Sequence, residues 1–470
     1  MSPIAVIGGG IAGLATSLFL ARGAHEVILI EQDAMDPVED LDDAFFRRAR
    51  PRVPQAVQPH ALLGPARAIL KARIPDVYAH LLDLGAWEQH EFDWFAQRPP
   101  FRTGDDDLVL VRLRRVVLEV ALRRAVKAQS NITMYEGWAV RGLATEPGSD
   151  GVPRVTGIHL AGETIHTRLV VDAAGRRSPV VGWLTTAGAR IAETESHRVG
   201  LAYTCRWYRT KRGIASRIPY VPYISATSHA LSIAFPSDND LLGVALVCAV
   251  KDPTLSALRD PATFDALARL FPATEAWLSN LPQSVGEVYV MAGLDNRWSP
   301  TSDKSGPVAT GVIRVGDALV HTNPTMTQGI SLALRAAERI ADTAHRADRP
   351  DEFALSYDRW TRDVLKPWFD LQVSADRENE RRLSGSVPAC LDDSARLRAA
   401  WFACALEDPV VMRAWAQARH LMRTPHEAFA APEIRDRVEK WLRRQSQLPP
   451  SPSGPSRETW EMVVAGGSTA

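Results

Sequence analysis

Two spacings of apolar residues alternate along the first part of this chain. The run PIAVI near the start is apolar throughout, as suits a strand covered on both faces. GGGIAG follows, and LATSLFLARG then takes up a helical spacing with Gly23 placed as its C-cap. A second buried strand, EVILIEQD, carries Glu31. From Arg112, RLRRVVLEVALRRAV sets Val116, Leu118, Leu122 and Val126 near one helix face, and TRLVVDAAGRRS reads as a strand entering a glycine turn. Between about Val199 and Val250 short β-like runs dominate, separated by Pro, Ser and Asp turns. Pro261 to Leu281 reads as helical, and VGEVYVM as a strand. GVIRV then runs into Gly316–Asp317, a polar loop, and the amphipathic ISLALRAAERIADTA. Phe353, Tyr357, Trp360, Val364, Trp368 and Leu371 recur at helical spacing, with Pro367 expected to break that helix. Helical patterns continue to about Gln447, and the Pro/Ser/Gly-rich tail reads as disordered.

Composition narrows the class. With 470 residues, 46% of them hydrophobic, the chain has material for two or three cores. Lys+Arg and Asp+Glu both number 55, so no global field draws the chain to nucleic acid or to an anionic membrane. Cys205, Cys248, Cys390 and Cys404 are scattered, which suits reduced thiols and no metal site. No apolar run reaches the ~18 residues of a membrane span, and no charged-then-apolar signal opens the chain. The expectation is a cytoplasmic protein.

The chemistry begins at Gly8, Gly10 and Gly13, which form G-x-G-x-x-G after a strand and at the opening of a helix. Gly8 allows the tight turn, Gly10 lets backbone approach a pyrophosphate beside Ile11 and Ala12, and Gly13 lets helix and strand pack closely. Glu31, ending the next strand, is placed to accept hydrogen bonds from an adenosine ribose. No second fingerprint follows a strand, so any second dinucleotide lacks a domain of its own.

The segment around Gly316–Asp317, Asn323–Pro324 and Gln328–Gly329 resembles the second flavin-contacting segment of FAD monooxygenases of the para-hydroxybenzoate hydroxylase type. That resemblance implies that Asp317 holds the ribitol chain and that backbone from Pro324 through Thr327, Gln328 and Gly329 to Ile330 follows the flavin's pyrimidine side. RRVVLEVALRRAV resembles the family's Arg-x-x-Leu-Glu helix, which makes Arg115 a cofactor contact. RARPRVPQAVQPHALL and the Asp-Ala-x-Gly-Arg-x-Ser form of VVDAAGRRS are similar to the bacterial epoxidase-like (polyether epoxidase) members, which implies Arg50 and Gln55 as further contacts. Two positions depart from the pattern: Ala173 follows Asp172 where Gly is usual, and Thr327 also stands where Gly is usual. If that second position needs positive φ, Thr meets a steric cost there; the plainer role for Thr327 is a cap for the following helix.

The implied fold is α/β: a Rossmann-like FAD-binding GxGxxG domain, an inserted antiparallel-sheet substrate domain and a helical C-terminal region. The FAD domain is expected from 1–75, 105–185 and 300–350, the substrate domain from 76–104 and 186–299, the helical region from 351–447, and a disordered tail from 448–470. The implied activity inserts one oxygen atom from O2, by epoxidation or hydroxylation through a flavin hydroperoxide, into a small organic substrate of secondary metabolism. FAD would be reduced by NAD(P)H directly or by a partner flavin reductase. A reductase or oxidase of the geranylgeranyl-reductase type, or a flavoprotein with structural or regulatory FAD, are the alternatives. Among single residues, Trp207 and Tyr208 are the first candidates for a substrate pocket. The other tryptophans, Trp183 and Trp298 among them, read mostly as core, and His60 and His321 as structural histidines more readily than as acid–base groups.

Overall fold

The structure, a computed structural model, describes residues 2–34, 37–48, 52–53, 55–95, 98–148, 151–211, 224–280, 282–384, 393–445 and 454–467. Five parallel strands, in spatial order Val312–Arg314, Leu169–Asp172, Ile4–Ile7, Val27–Glu31 and Ile132–Glu136, form the first sheet. The opening strand is central: Ile7 faces Ile30 on one side and Asp172 on the other. The chain leaves this strand in one direction and later returns on the other side, so the carboxyl ends diverge there and open a crevice.

The uninterrupted apolar run of the opening strand has a direct explanation. Ile4 and Val6 pack into a core shared with the helices Ile11–Arg22, Arg115–Ala128 and Gly329–Thr343. Ala5 and Ile7 face a second core, under the small antiparallel sheet Gly142–Pro147, Pro153–His159 and Thr164–His166. Both faces are therefore covered, one by helices and one by strands.

The second large sheet is antiparallel throughout, in the order Ile224–Ala226, Ala230–Pro236, Leu241–Ala249, Leu201–Arg209, Gln283–Met291. Its middle strand, Leu241–Ala249, is buried at every position. Arg114 joins the two halves. Its fully buried guanidinium meets Asp238 at 2.7 Å, in the turn between two strands of this sheet, and Asp42 at 2.7 Å.

Several local expectations change. The helix begins at Arg115, because Arg112 ends the strand Val109–Arg112. The stretch from Pro261 is helical, as two helices, Pro261–Ala268 and Pro272–Leu278, the second opening on a proline at its first turn. Pro367 does divide the later run, into Pro350–Val364 and Lys366–Leu383. Within the stretch expected to be disordered, Arg457–Gly467 forms a helix. Trp460 is fully buried there and donates its indole N–H to Thr254 at 2.9 Å, while Arg457 pairs with Asp252 at 2.6 Å. One aromatic anchor and one ion pair supply what the surrounding Pro/Ser/Gly composition conceals. Among the described residues no helix is long and apolar enough to cross a membrane.

Candidate functional site

A cavity of about 540 Å³ runs from the crevice in the parallel sheet to the inner face of the antiparallel one. Gly8, Gly10, Ile11, Ala12, Glu31, Gln55, Arg115, Asp317, Pro324, Thr327, Gly329 and Ile330 all line it. Chain segments far apart in sequence therefore meet in one space. Arg50 lies outside the described residues, as does Cys390. Gly13 lies behind the wall and serves packing: a Cβ there would sit 1.8 Å from the Gly8 carbonyl oxygen. Gly8 itself has φ +105°, and a Cβ on it would meet the Ala173 carbonyl at 2.6 Å. Around Gly10 the position of a Cβ is open for 4 Å.

Within this turn the Gly8 N–H is taken by the Ile30 carbonyl at 2.8 Å and the Gly9 N–H by Glu31, which leaves the start of the following helix to meet a ligand. The helix Ile11–Arg22 starts at Gly10 with no side-chain cap and no acidic residue in its first turn. The helix Gly329–Thr343 has the same character at Gln328. Two uncapped helix N-termini thus border one cavity, each favouring electron-rich groups. Glu31 closes the far corner, accepting from the Gly9 N–H at 2.6 Å and the Asp33 N–H at 2.8 Å. Trp138 and Trp183 line this same end. Arg115 pairs with Glu119 at 2.7 Å, one helical turn on, and still borders the cavity.

Asp172 organises the turn that the opening strand faces. Its buried carboxylate accepts from the Ala174 N–H at 3.1 Å, from Ser178 Oγ at 2.7 Å and from Arg314 Nε at 3.1 Å. The Asp, Ser and Gly of this motif hold a turn together, leaving Ala173, Ala174 and Gly175 as wall.

Thr327 has φ 58° and ψ 22°, the left-handed region. The position does require positive φ, and a β-branched residue occupies it at a cost of ~1–2 kcal/mol. The capping role is not found: the helix begins at Gly329, its N-cap is Gln328, and no side-chain capping bond is made. The side chain of Gln328 turns away from the cavity. Fully buried, it donates from Nε2 to the Trp368 carbonyl and to Gln372 Oε1, both at 3.2 Å.

That contact belongs to a buried polar cluster which sequence reasoning missed. Asp376 accepts from Asn296 Nδ2 at 2.7 Å, Asn323 Nδ2 at 2.7 Å, Gln372 Nε2 at 2.9 Å and Thr325 Oγ1 at 3.3 Å. Tyr203 donates to Asn323 Oδ1 at 2.8 Å, and the Asn323 N–H donates to Asn296 Oδ1 at 2.7 Å. Burial pushes the Asp376 carboxyl above its ordinary value, against the four donors that favour its charge. The cluster ties the loop Asn323–Gln328 to the helix Lys366–Leu383. No spacing rule marks it, because its members come from four separate segments.

The other end of the cavity is apolar. Tyr203, Ile233, Phe235, Ala245, Met291 and Leu294 line it, with His60. Trp207 and Tyr208, the expected pocket residues, do not. Trp207 is fully buried and donates its indole N–H to the Val57 carbonyl at 2.9 Å, so it clamps the loop that precedes His60. Tyr208 lies on the opposite strand face and bonds to Asp265. Burial, with Arg115 next in importance, lowers the His60 pKa to about 4. His321 also borders the cavity, its Nδ1 2.6 Å from the Asp295 carbonyl. Cys205, Cys248 and Cys404 are buried and unpaired. Among the described residues no group of His, Cys, Asp and Glu is gathered in a way that could hold a metal.

No protein-family model matches the chain. Among curated proteins it is 24% identical over 497 residues to Protein Rv3254 of Mycobacterium tuberculosis (strain ATCC 25618 / H37Rv), spanning 94% of this chain and 95% of that one. Among solved structures it is similar to PqsL of Pseudomonas aeruginosa, described as a probable FAD-dependent monooxygenase, with TM-score 0.61, 16% identity, and coverage of 82% of this chain and 99% of that one. It is also similar to the flavin-dependent brominase Bmp2, with TM-score 0.62, 14% identity, and coverage of 94% and 99%. The Diels-Alderase PyrE3 has TM-score 0.57, 14% identity, and coverage of 90% and 81%. The α/β fold with its helical C-terminal region is therefore the FAD-binding monooxygenase fold. Neighbours described as a brominase and a Diels-Alderase place different reactions on it, so the reaction has to be argued from the site.

Proposed function

We propose that the protein is an FAD-dependent monooxygenase that inserts one oxygen atom into a small, largely apolar organic substrate by epoxidation or hydroxylation. The observation that carries this reading is the single cavity joining a dinucleotide-type crevice to an apolar chamber. The residues present fit FAD. Gly8 makes the tight turn, Gly10 leaves room for a pyrophosphate at an uncapped helix N-terminus, and Glu31 stands where a ribose hydroxyl would be accepted. Asp317 would hold the ribitol chain, and the N-terminus at Gly329 and Ile330 would stabilise negative charge on the reduced ring.

Bound FAD would supply the oxygen chemistry, after reduction by NAD(P)H directly or through a partner flavin reductase. The chain's own task is narrower. Arg115 and the two helix termini bind the cofactor, the loop Asn323–Gln328 is fixed by the Asp376 cluster, and the apolar walls orient the substrate and exclude water. This division of labour explains why no nucleophile–base pair stands out.

The test is purification, reconstitution with FAD, and turnover with a reductant and a panel of apolar candidate substrates. The expected result is non-covalent FAD binding, oxygen consumption that requires both reductant and substrate, and products heavier by one oxygen atom. Glu31→Ala should weaken FAD binding by ~1–3 kcal/mol. Alkene reduction without oxygen would instead mark a geranylgeranyl-reductase type of enzyme, and FAD binding without turnover a structural or regulatory flavin.

A further inference from the structure

The apolar end of the cavity carries an inference about what fills it, resting on the monooxygenase reading only in calling that molecule the substrate. His60 lines the cavity, and its Nδ1 lies 2.8 Å from the Gln58 carbonyl oxygen. A carbonyl only accepts, so Nδ1 carries the proton and Nε2 is a bare lone pair. Among the described residues no hydrogen-bond partner meets that lone pair. The ring is held in place: Trp207 grips the Val57 carbonyl, and Pro59 packs against Gly243, two residues before the wall residue Ala245.

Beside His60, Gln58 lines the same cavity, and its buried Nε2, without a partner among the described residues, can only donate, to the oxygen of the same ligand. Ile233, Phe235, Ala245, Met291 and Leu294 are apolar, and the hydroxyl hydrogen of Tyr203 is committed to Asn323. With its pKa lowered to about 4 by burial and by Arg115, His60 stays neutral near pH 7 and cannot act as a cation toward an anionic ligand.

We propose that His60 is a specificity-determining residue that accepts a hydrogen bond at Nε2 from an uncharged hydroxyl on an otherwise apolar substrate. A carboxylate would set its lone pairs against that of Nε2. An ether or ketone would bury Nε2 without a partner, and an unmet buried acceptor costs more than a made bond contributes. A hydroxyl satisfies it, and the apolar remainder of the molecule fills the chamber.

The experiment compares two probes of nearly the same shape, 2-naphthol and 2-methoxynaphthalene, by calorimetric titration of the FAD-loaded protein at pH 7. The native protein should bind 2-naphthol about five- to ten-fold more tightly, the worth of one hydrogen bond between neutral groups. His60→Leu should bind both probes alike. His60→Gln, whose amide oxygen can stand in for Nε2, should recover part of the preference. Ala245→Trp, which fills the chamber, should abolish binding of both and so assign the heat to this site. Equal affinity in the native protein, no binding of 2-naphthol, or a preference that survives in His60→Leu would overturn the proposal. The native comparison decides even where a variant does not fold. FAD content is measured by absorbance on the same preparations, so a failure to hold flavin is recognised separately and counts against the monooxygenase reading instead.

Discussion

The two ends of the cavity are built by different means. At the cofactor end the decisive groups are backbone: the turn at Gly8, the open approach at Gly10, and N–H groups at two uncapped helix starts. At the substrate end they are side chains on a sheet whose middle strand is buried at every position. Backbone geometry restricts which residue types a position can take, and that restriction is visible in sequence. A strand's inward face is chosen by its partners. Along LAYTCRWY the alternation groups residues 203, 205 and 207 without saying which of them meets a ligand. Tyr203 does, whereas Trp207 clamps a loop.

The most severe way to break the cofactor end is Gly13→Val. A Cβ there lies 1.8 Å from a backbone oxygen, a clash that no flexible side chain can relieve. The expected result is a loss of ~4 kcal/mol or more in stability, with no flavin retained after reconstitution. Thermal melts and flavin absorbance read both effects. A variant that melts normally and keeps its FAD would show that helix and strand have room to separate.

Asp376→Ala tests the cluster that joins the two ends. It leaves Asn296, Asn323 and Gln372 without their shared acceptor, at an expected cost of ~3 kcal/mol, while FAD still binds but more weakly. Urea denaturation and FAD titration measure the two quantities. If stability falls and FAD affinity does not move, the cluster supports the fold without positioning the loop.

These two tests also mark what could be read from sequence. The glycine fingerprint and Glu31 were legible because each answers a local demand of backbone or strand end, whereas Arg115 and Asp317 stand out only through the family resemblance; all of them but Gly13 line one cavity. The break at Pro367 was legible as another local demand of backbone. The Asp376 cluster was not, since Tyr203, Asn296, Asn323 and Gln372 become neighbours only when two sheets and a helix converge. The terminal helix was hidden too: its anchor Trp460 gains its meaning from Thr254, some two hundred residues earlier.

A pH series sharpens the comparison without mutation. Burial lowers the pKa of His60, to about 4, and that of His420, against the pull of Glu91. In the unfolded chain both would titrate near ~6.5. A depressed folded value means that the unfolded state binds the proton first, so stability is fully present above ~6.5 and is lost as pH falls toward 4. Glu91, which burial would raise but Arg419 and His420 hold down at about 2, adds a further loss below ~4.5. Urea midpoints should fall steadily from pH 7 to pH 4, and less steeply in His60→Leu. A flat profile across that range would mean that neither imidazole is held neutral by the fold.

The smallest expected effect on stability, and the most direct probe of chemistry, is Thr327→Gly. Glycine removes the steric cost of a β-branched residue at φ 58°, and adds back ~0.5–1 kcal/mol of unfolded-state entropy. The two effects nearly cancel, so the melting point should move by the equivalent of ~1 kcal/mol or less, with FAD content unchanged. What the substitution does change is the wall of the cavity beside the loop that precedes the helix Gly329–Thr343. Losing a methyl and a hydroxyl there opens space at the junction of the two ends and removes a polar group able to donate a hydrogen bond into it. Thr327 does not cap the following helix; its backbone closes the preceding turn, its N–H donating to the Pro324 carbonyl at 2.9 Å, a role glycine would fill as well. The side chain's retention therefore needs another reason, and control of what reaches that junction supplies one. The expected outcome is a several-fold change in hydrogen peroxide released per reductant consumed, measured side by side with the native protein. An unchanged ratio at unchanged stability would leave Thr327 as a tolerated side chain in a turn that glycine fits equally well.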